Sequence, residues 1–410
     1  MTVFAANNLD EFIAETDRLG GPGTKAATIY WGDFSYVPEI VIDQSLDPFS
    51  DDYFKRQIEL YRELSGRELS PGENELTQIN IDDHVEAQNP YALVDPSKFV
   101  IHYLRLGFMV HDANLPHAPK ILDMGAGWGL SSEFLAMLGA TVHSVDVNPD
   151  FVELIRRRQA RHRLPITSEV STFEDFDTTE TYDAIIFYEC LHHAAKPWEL
   201  FSKARRWLKD GGKILFAGEP VNDLWSNWGL RLDAQSVYCI RKFGWFESGW
   251  SKAFITRCFW RNGFSAAVDF YPNREVGYVC VAKKLDPTVA INAREMQVFL
   301  EESGEEWHDS GAYLVSTGDS TFDIPRALGA KEVFLEISNF RGALVPLKVY
   351  LDDQVVYDSS LAPGTWTIKF PLRENDTRLR FVSEPWVPAA ELGSGDTRSV
   401  SLFFSSARFA

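Results

Sequence analysis

Directly after an apolar run, the segment IIFYECLHHAAKP sets Tyr188, Glu189, His192 and His193 close together, and FAGEPV adds Glu219 after the next apolar run. Imidazole titrates at about 6.5 when unperturbed, so a histidine placed here suits removal of a proton from a hydroxyl near neutral pH. His192 and His193 are the candidate proton acceptors. The structural alternative is that one ring packs within the loop while the other faces water. Glu189 either contacts a ligand or orients a histidine as a supporting carboxylate, and Glu219 is a candidate substrate contact on the same rim. A divalent cation could also be held by these groups, but their spacing matches no defined metal motif and no metal ligand is assigned.

A second constellation, ILDMGAGWG, places Gly125, Gly127 and Gly129 at the end of an apolar strand and the start of a helix. Such a turn lets backbone approach a ligand closely, and the free amides of the following helix attract polar or anionic groups. Asp123 lies just inside the turn. Asp146 ends the next strand, where a carboxylate can accept from both hydroxyls of a ribose. A nicotinamide-binding turn would place its third glycine at position 130, which is Leu130.

On DMGAGWG and Asp146 the chain resembles the class I S-adenosylmethionine-dependent methyltransferases, whose hallmark is an acidic residue followed by Gly-x-Gly-x-Gly after the first strand. That resemblance implies a Rossmann-like methyltransferase sheet, S-adenosylmethionine as cofactor and S-adenosylhomocysteine as its product. It further implies Asp123 near the amino-acid end of the cofactor, Gly125, Ala126 and Gly127 as its floor, and Asp146 with Val147 at the ribose. Glu174 would face the adenine amino group with Phe173 against the ring. Otherwise Glu174 is a helix-starting carboxylate favoured by the dipole.

The elements that must position these residues are legible as well. From Lys120 to Lys284 short apolar runs (KILDM, TVHSVDV, ITSEV, YDAIIFY, GKILFAG, SAAVDFY, EVGYVCVAK) alternate with amphipathic segments, which is the pattern of an α/β, doubly wound, seven-stranded sheet ending in a hairpin-like pair. Residues 1–115 read as a helical N-terminal lead that covers the site, with helices beginning after Ser50 and Asp95. Residues 116–286 form the methyltransferase domain. Residues 287–410 carry strand signals separated by Asp-Asp, Ala-Pro-Gly and Gly-Ser-Gly-Asp turns, a C-terminal β-sandwich used for glycan binding or assembly, preceded by a short helix near 293–302.

Between the fifth and sixth strands an insertion holds Trp225, Trp228, Trp245 and Trp250. Flat aromatic faces beside charged groups suit a ring-shaped polar substrate such as a sugar, and Trp245, with Trp31 from the lead, is a candidate substrate contact. The alternative is that these aromatics pack the insertion onto the N-terminal helices. The closing stretch from Phe381 resembles β-rich tails of bacterial glycosyltransferases and methyltransferases of surface-polysaccharide synthesis; in the C-terminal region Trp366 and Trp386 would stack on glycans or lie buried.

Composition narrows the function. Against 59 acidic residues stand 40 Lys and Arg, for a net charge of -19, which argues against nucleic acid as a partner. Four scattered cysteines and an N-terminus without a basic-then-apolar leader predict buried thiols in a cytoplasmic protein, and no apolar run is long enough for a membrane span. The resulting expectation is a histidine-assisted O-methyltransferase acting on a sugar hydroxyl of a bacterial glycan, as a homo-oligomer or with glycan-synthesis enzymes. The competing expectation is methylation of a small-molecule natural product, with the sandwich as an assembly module.

Overall fold

The computed structural model describes residues 2–271, 275–296 and 307–410. Its contacts cluster into two compact units, one of Met1–Leu200, Leu215–Ser251 and Asp269–Cys280, the other of Phe201–Ile214, Lys252–Val268 and Val281–Ala410. The lead thus shares a unit with the central strands of the α/β sheet.

Seven strands form that sheet: Lys120–Met124 (β1), Thr141–Asp146 (β2), Ile166–Val170 (β3), Tyr182–Tyr188 (β4), Leu208–Ala217 (β5), Phe264–Tyr271 (β6) and Gly277–Lys284 (β7). Their order is β6-β7-β5-β4-β1-β2-β3, and the pairs β1–β2, β1–β4 and β2–β3 are parallel. The central strands β1 and β4 are almost wholly buried along their length, which is why they are written as continuous apolar runs. After β1 the chain moves outward through β2 and β3, then returns to the other side of β1 as β4. That reversal opens a crevice at the carboxyl ends of β1 and β4, where doubly wound sheets bind ligands.

In the lead, Ser50 caps Asp51–Ser65 (α1) by accepting from the Tyr53 amide, and Gly66 ends it in a left-handed conformation. Ile81–Glu86 (α2) and Pro96–Ala113 (α3) follow, α3 being capped by Asp95. The buried face of α1 meets the insertion: Tyr53 donates to the Trp228 carbonyl at 2.6 Å, Gln57 accepts from the Leu230 amide at 3.1 Å, and Tyr61 donates to the Gly244 carbonyl at 2.5 Å. Trp228 and Trp250 are buried in the hairpin Trp228–Leu230/Ser248–Trp250. The insertion is thus tied to the lead through Trp228, Leu230 and Gly244. Leu130–Met137 (α4) follows the glycine turn, and Pro149–His162 (α5), capped by Asn148, follows β2.

The second unit contains two sheets of antiparallel strands. Trp307–Asp309 (β8), Leu314–Ser316 (β9), Phe403–Phe409, Glu332–Asn339 and Gly364–Pro371 lie side by side in that order, with Ile291–Asn292 added to Phe403–Phe409. The other sheet runs Asp319–Asp323, Arg378–Ser383, Val345–Leu351, Gln354–Leu361. Leu335, Ile337 and Phe404 from the first join Val349, Leu379 and Phe381 from the second in one buried cluster. Trp386 is buried in a separate cluster with Val315 and Val400 and donates to the Ser401 carbonyl, whereas Trp366 is 43% exposed. Residues 293–296 of the expected short helix form a turn, and its remainder lies outside the described residues. All four cysteines are buried and unpaired.

Candidate active site

A cavity of about 490 Å³ opens at the β1–β4 crevice. The turn after β1, the ends of β2 and β4, the loop after β3 and the lead all contribute to its wall.

Asp146 presents its carboxylate here. Its Oδ2 accepts from the Gly127 amide at 2.7 Å and its Oδ1 from the Asn148 amide at 2.8 Å. Burial pushes its pKa up to about 6 against those two donors. Each oxygen keeps acceptor capacity for a hydroxyl. Gly127 has φ +51°, and a Cβ built on it would meet nothing within 4 Å, so its backbone borders open space that a ligand can occupy. An adenosyl ribose fits this cradle. Ala126, Gly125, Val147, Phe173 and Glu174 also line the cavity, and Phe173 is held edge-on to Phe187.

Asp123 differs from its expected place at the cofactor. It does not line the cavity. Its Oδ2 accepts from Ser131 at 2.7 Å and Ser132 at 2.5 Å, both on α4, so it fastens the helix behind the glycine turn. Burial raises its pKa to about 6, and its Oδ1 is buried without a partner.

After β4 the chain turns through Glu189, whose φ is +55°. The Glu189 carboxylate pairs with Arg105 of α3 and stands 3.7 Å from His102 Nδ1. Burial, opposed by Arg105, pushes its pKa up to about 7. Gly218 makes room for it: a Cβ there would fall 2.4 Å from Glu189 Cγ.

Leu191–His193 is a short 3-10 turn whose two imidazoles lie side by side, with ring centroids 4.3 Å apart. His192 is buried, and its Nδ1 lies 2.8 Å from Glu219 Oε2. Glu219 also accepts from the amides of Cys190, Leu191 and His192 at 2.8, 2.9 and 3.1 Å. Burial alone would raise the Glu219 pKa, but His192 and these amides hold it below the usual range. Neither residue lines the cavity. This corrects two expectations: Glu219 is an internal support rather than a substrate contact, because its oxygens are spent on the turn, and His192 stands behind the wall.

His193 does line the cavity. Its Nδ1 is 3.1 Å from Glu75 Oε2 without hydrogen-bond alignment. Burial would lower its pKa, but Glu75, then Glu247 and Glu219, outweigh burial and raise it to about 9. Glu75 is itself fixed, its Oε1 accepting from the Phe246 amide at 2.9 Å. Trp245 lines the same end, edge-on to His193 at 5.9 Å between centroids. Trp31 does not: its indole donates to Thr16 Oγ1 at 3.1 Å and its ring packs on Tyr238, away from the cavity. One ligand atom each from His192, His193 and Glu247 lies within 4.8 Å of the others, the one such group among the described residues. An ion there would compete with the proton on His193.

Sequence reasoning missed Glu75, Tyr91, His102, Trp128 and Phe151, all of which line the cavity. Trp128 stands inside the glycine turn and was visible as its variable position. Glu75, Tyr91 and His102 lie in the lead, where no motif marks them.

Residues 122–216 match the family model described as a methyltransferase domain. That stretch is a domain of the S-adenosylmethionine-dependent kind. A ubiquinone biosynthesis O-methyltransferase of Actinobacillus pleuropneumoniae is 31% identical over 29% of this chain and 53% of its own length. One of Xanthomonas oryzae pv. oryzae is 29% identical over 36% of this chain and 63% of its own. The chain thus spans between half and two thirds of these relatives. A solved structure of Burkholderia thailandensis 1,6-didemethyltoxoflavin-N1-methyltransferase, with bound 1,6-didemethyltoxoflavin and S-adenosylhomocysteine, is 16% identical with a TM-score of 0.36, covering 46% of this chain and 80% of that one. Among the described residues no helix is long and apolar enough to cross a membrane.

Proposed function

We propose that this protein transfers a methyl group from S-adenosylmethionine to a hydroxyl of a small, oxygen-bearing acceptor. The observation that carries the reading is the cavity that joins Asp146 and Gly127, which suit a ribose, to Glu75, His193 and Trp245, which suit a polar acceptor. When bound, S-adenosylmethionine supplies a methyl group on a sulfonium, an electrophile that an aligned oxygen lone pair displaces. Asp146 would hold the ribose hydroxyls, Phe173 would pack on the adenine, and Glu174 stands near its edge. Glu189, held by Arg105, would face the amino-acid end.

At the other end the acceptor oxygen must be held and its proton removed. His193 is the one of the two expected histidines on the cavity, and with Glu75 it forms the pair through which that proton leaves. Glu219 and His192 shape the turn that presents His193.

Two acceptor classes follow from different observations. A sugar of a bacterial glycan is favoured by Trp245 in the wall and by exposed Trp366 in the second unit, read as a glycan-binding β-sandwich. A small-molecule natural product is favoured by the names of the relatives, with the second unit then serving assembly. The experiment is to incubate the protein with labelled S-adenosylmethionine and panels of both acceptor classes, then locate the methyl group by mass spectrometry. Label on nitrogen or carbon, or no transfer to either panel, would overturn the O-methylation reading.

A further inference from the structure

The cavity owes one wall to a segment of the lead that has little core of its own. From Glu75 to Tyr91 the chain contains only the six-residue helix α2, whose one buried residue is Val85. Yet this segment supplies Glu75, Thr77 and Tyr91 to the cavity, and His84 packs on the cavity residue Trp128 at 4.2 Å between ring centroids.

What holds it is a row of side chains on α5 and its cap. Asn148 donates to the Thr77 carbonyl at 2.6 Å. Arg157 pairs with Asp82 at 2.8 Å, and Arg161 donates to the Val85 carbonyl. Between them Arg158 is only 1% exposed. Its Nε and Nη2 grip the two oxygens of Glu133 at 2.5 and 3.0 Å. That fork fixes the guanidinium plane and leaves Nη1 to donate to the carbonyls of His84 at 2.7 Å and Ala87 at 3.0 Å, with Val85 at 3.4 Å.

The last carbonyls of a helix have no partner within it. At the end of α2 Val85 is buried and the bonds to the His84 and Ala87 carbonyls are part-buried, so an external donor is favoured. A guanidinium is suited to that task because its planar array can serve a carboxylate and several carbonyls at once. The hydrogen-bond partners of Arg158 (Glu133, His84, Val85 and Ala87) do not line the cavity, yet Arg158 closes the end of the helix that carries Thr77 and Tyr91 on either side of it.

We infer that Arg158 is a positioning residue for the cofactor: anchored by Glu133, it docks the 75–91 segment as the cavity wall that retains S-adenosylmethionine. The role assigned to the cavity rests on the proposed function, whereas the docking itself is a property of the fold. Glu75 keeps a separate anchor at the Phe246 amide, so loosening the segment at Arg158 weakens cofactor retention more than the acceptor end.

The test compares Arg158→Lys with the double variant Arg158→Met, Glu133→Gln, which removes both buried charges and leaves no lone carboxylate in the interior. Cofactor affinity is measured by calorimetry, turnover at saturating cofactor separately, and amide exchange across the chain. The expected result is affinity for S-adenosylmethionine weakened about tenfold in the double variant and less in Arg158→Lys. Turnover at saturation stays within about twofold, and faster exchange is confined to 75–91. Unchanged affinity in both variants, or exchange that rises equally through β1 to β4, would overturn the inference. Failure of the unaltered protein to bind S-adenosylmethionine would instead overturn the functional reading.

Discussion

Glu75 Oε2 stands 3.1 Å from His193 Nδ1, joining the N-terminal lead to the turn after β4. Burial would lower the pKa of the ring, but this carboxylate, with Glu247 and Glu219, outweighs burial and raises it to about 9. In the unfolded chain the same ring releases its proton at about 6.5. A folded value above the unfolded one stabilises the protein fully below about pH 6.5, and the contribution is lost as pH rises through 9. Thermal melts of Glu75→Gln against the unaltered protein are expected to show a large gap at pH 6 that closes by about pH 9.5. A gap independent of pH would refute the pairing.

The same proton governs catalysis in the proposed reaction. If the ring must be neutral to receive the acceptor's proton, turnover climbs between about pH 7 and 9, and His193→Ala lowers it about a hundredfold while leaving cofactor affinity intact. Flat pH profiles, or equal turnover in the variant, would remove His193 from the role.

His192 is expected to behave differently. Glu219, fully enclosed, takes His192 Nδ1 and three amides. Removing the ring in His192→Ala leaves a buried carboxylate without its imidazole partner, which costs about 3 kcal/mol of stability. Denaturant unfolding should show this loss. His192→Ala combined with Glu219→Gln should recover part of it, and no recovery would mean that the ring acts through packing alone.

Why the sequence distinguishes the glycine turn so readily and these histidines so poorly has a physical answer. Strands buried on both faces must be written as unbroken apolar runs, so β1 and β4 and the residues at their ends are visible locally. His192 and His193 share one 3-10 turn with their ring centroids only 4.3 Å apart, so nothing local separates their roles. Which one faces the cavity depends on where Glu219 of the neighbouring strand and Glu75 of the lead arrive. Both are distant in the chain. The tryptophans of the insertion were likewise ambiguous, because a ring that packs on α1 and a ring that meets a ligand are composed alike.

Gly218 is the residue that lets Glu189 stand where it does. Its φ is +77°, and an added Cβ would lie 2.4 Å from Glu189 Cγ. Gly218→Ala therefore combines backbone strain with displacement of the carboxylate from Arg105, at about 1–3 kcal/mol of stability. Cofactor affinity should fall with it. Calorimetry showing full affinity would mean that Glu189 has no part in cofactor binding.

Within the second unit, Asp323 is buried and pairs with three arginines, Arg257 at 2.5 Å, Arg261 at 2.7 Å and Arg378 at 3.2 Å. Burial alone would raise its pKa, but Arg257 and Arg261 outweigh it and hold the carboxyl down to about 2. Because the folded value lies below the ordinary one of about 3.9, the carboxylate contributes its stability above that ordinary value. The contribution is lost as pH falls through about 2. At neutral pH, Asp323→Asn leaves three guanidinium groups facing a neutral amide and is expected to cost about 3 kcal/mol in denaturant unfolding. Near pH 2 the variant and the unaltered protein should converge. If the difference persists undiminished in acid, the loss comes from side-chain packing and the ionic assignment is wrong.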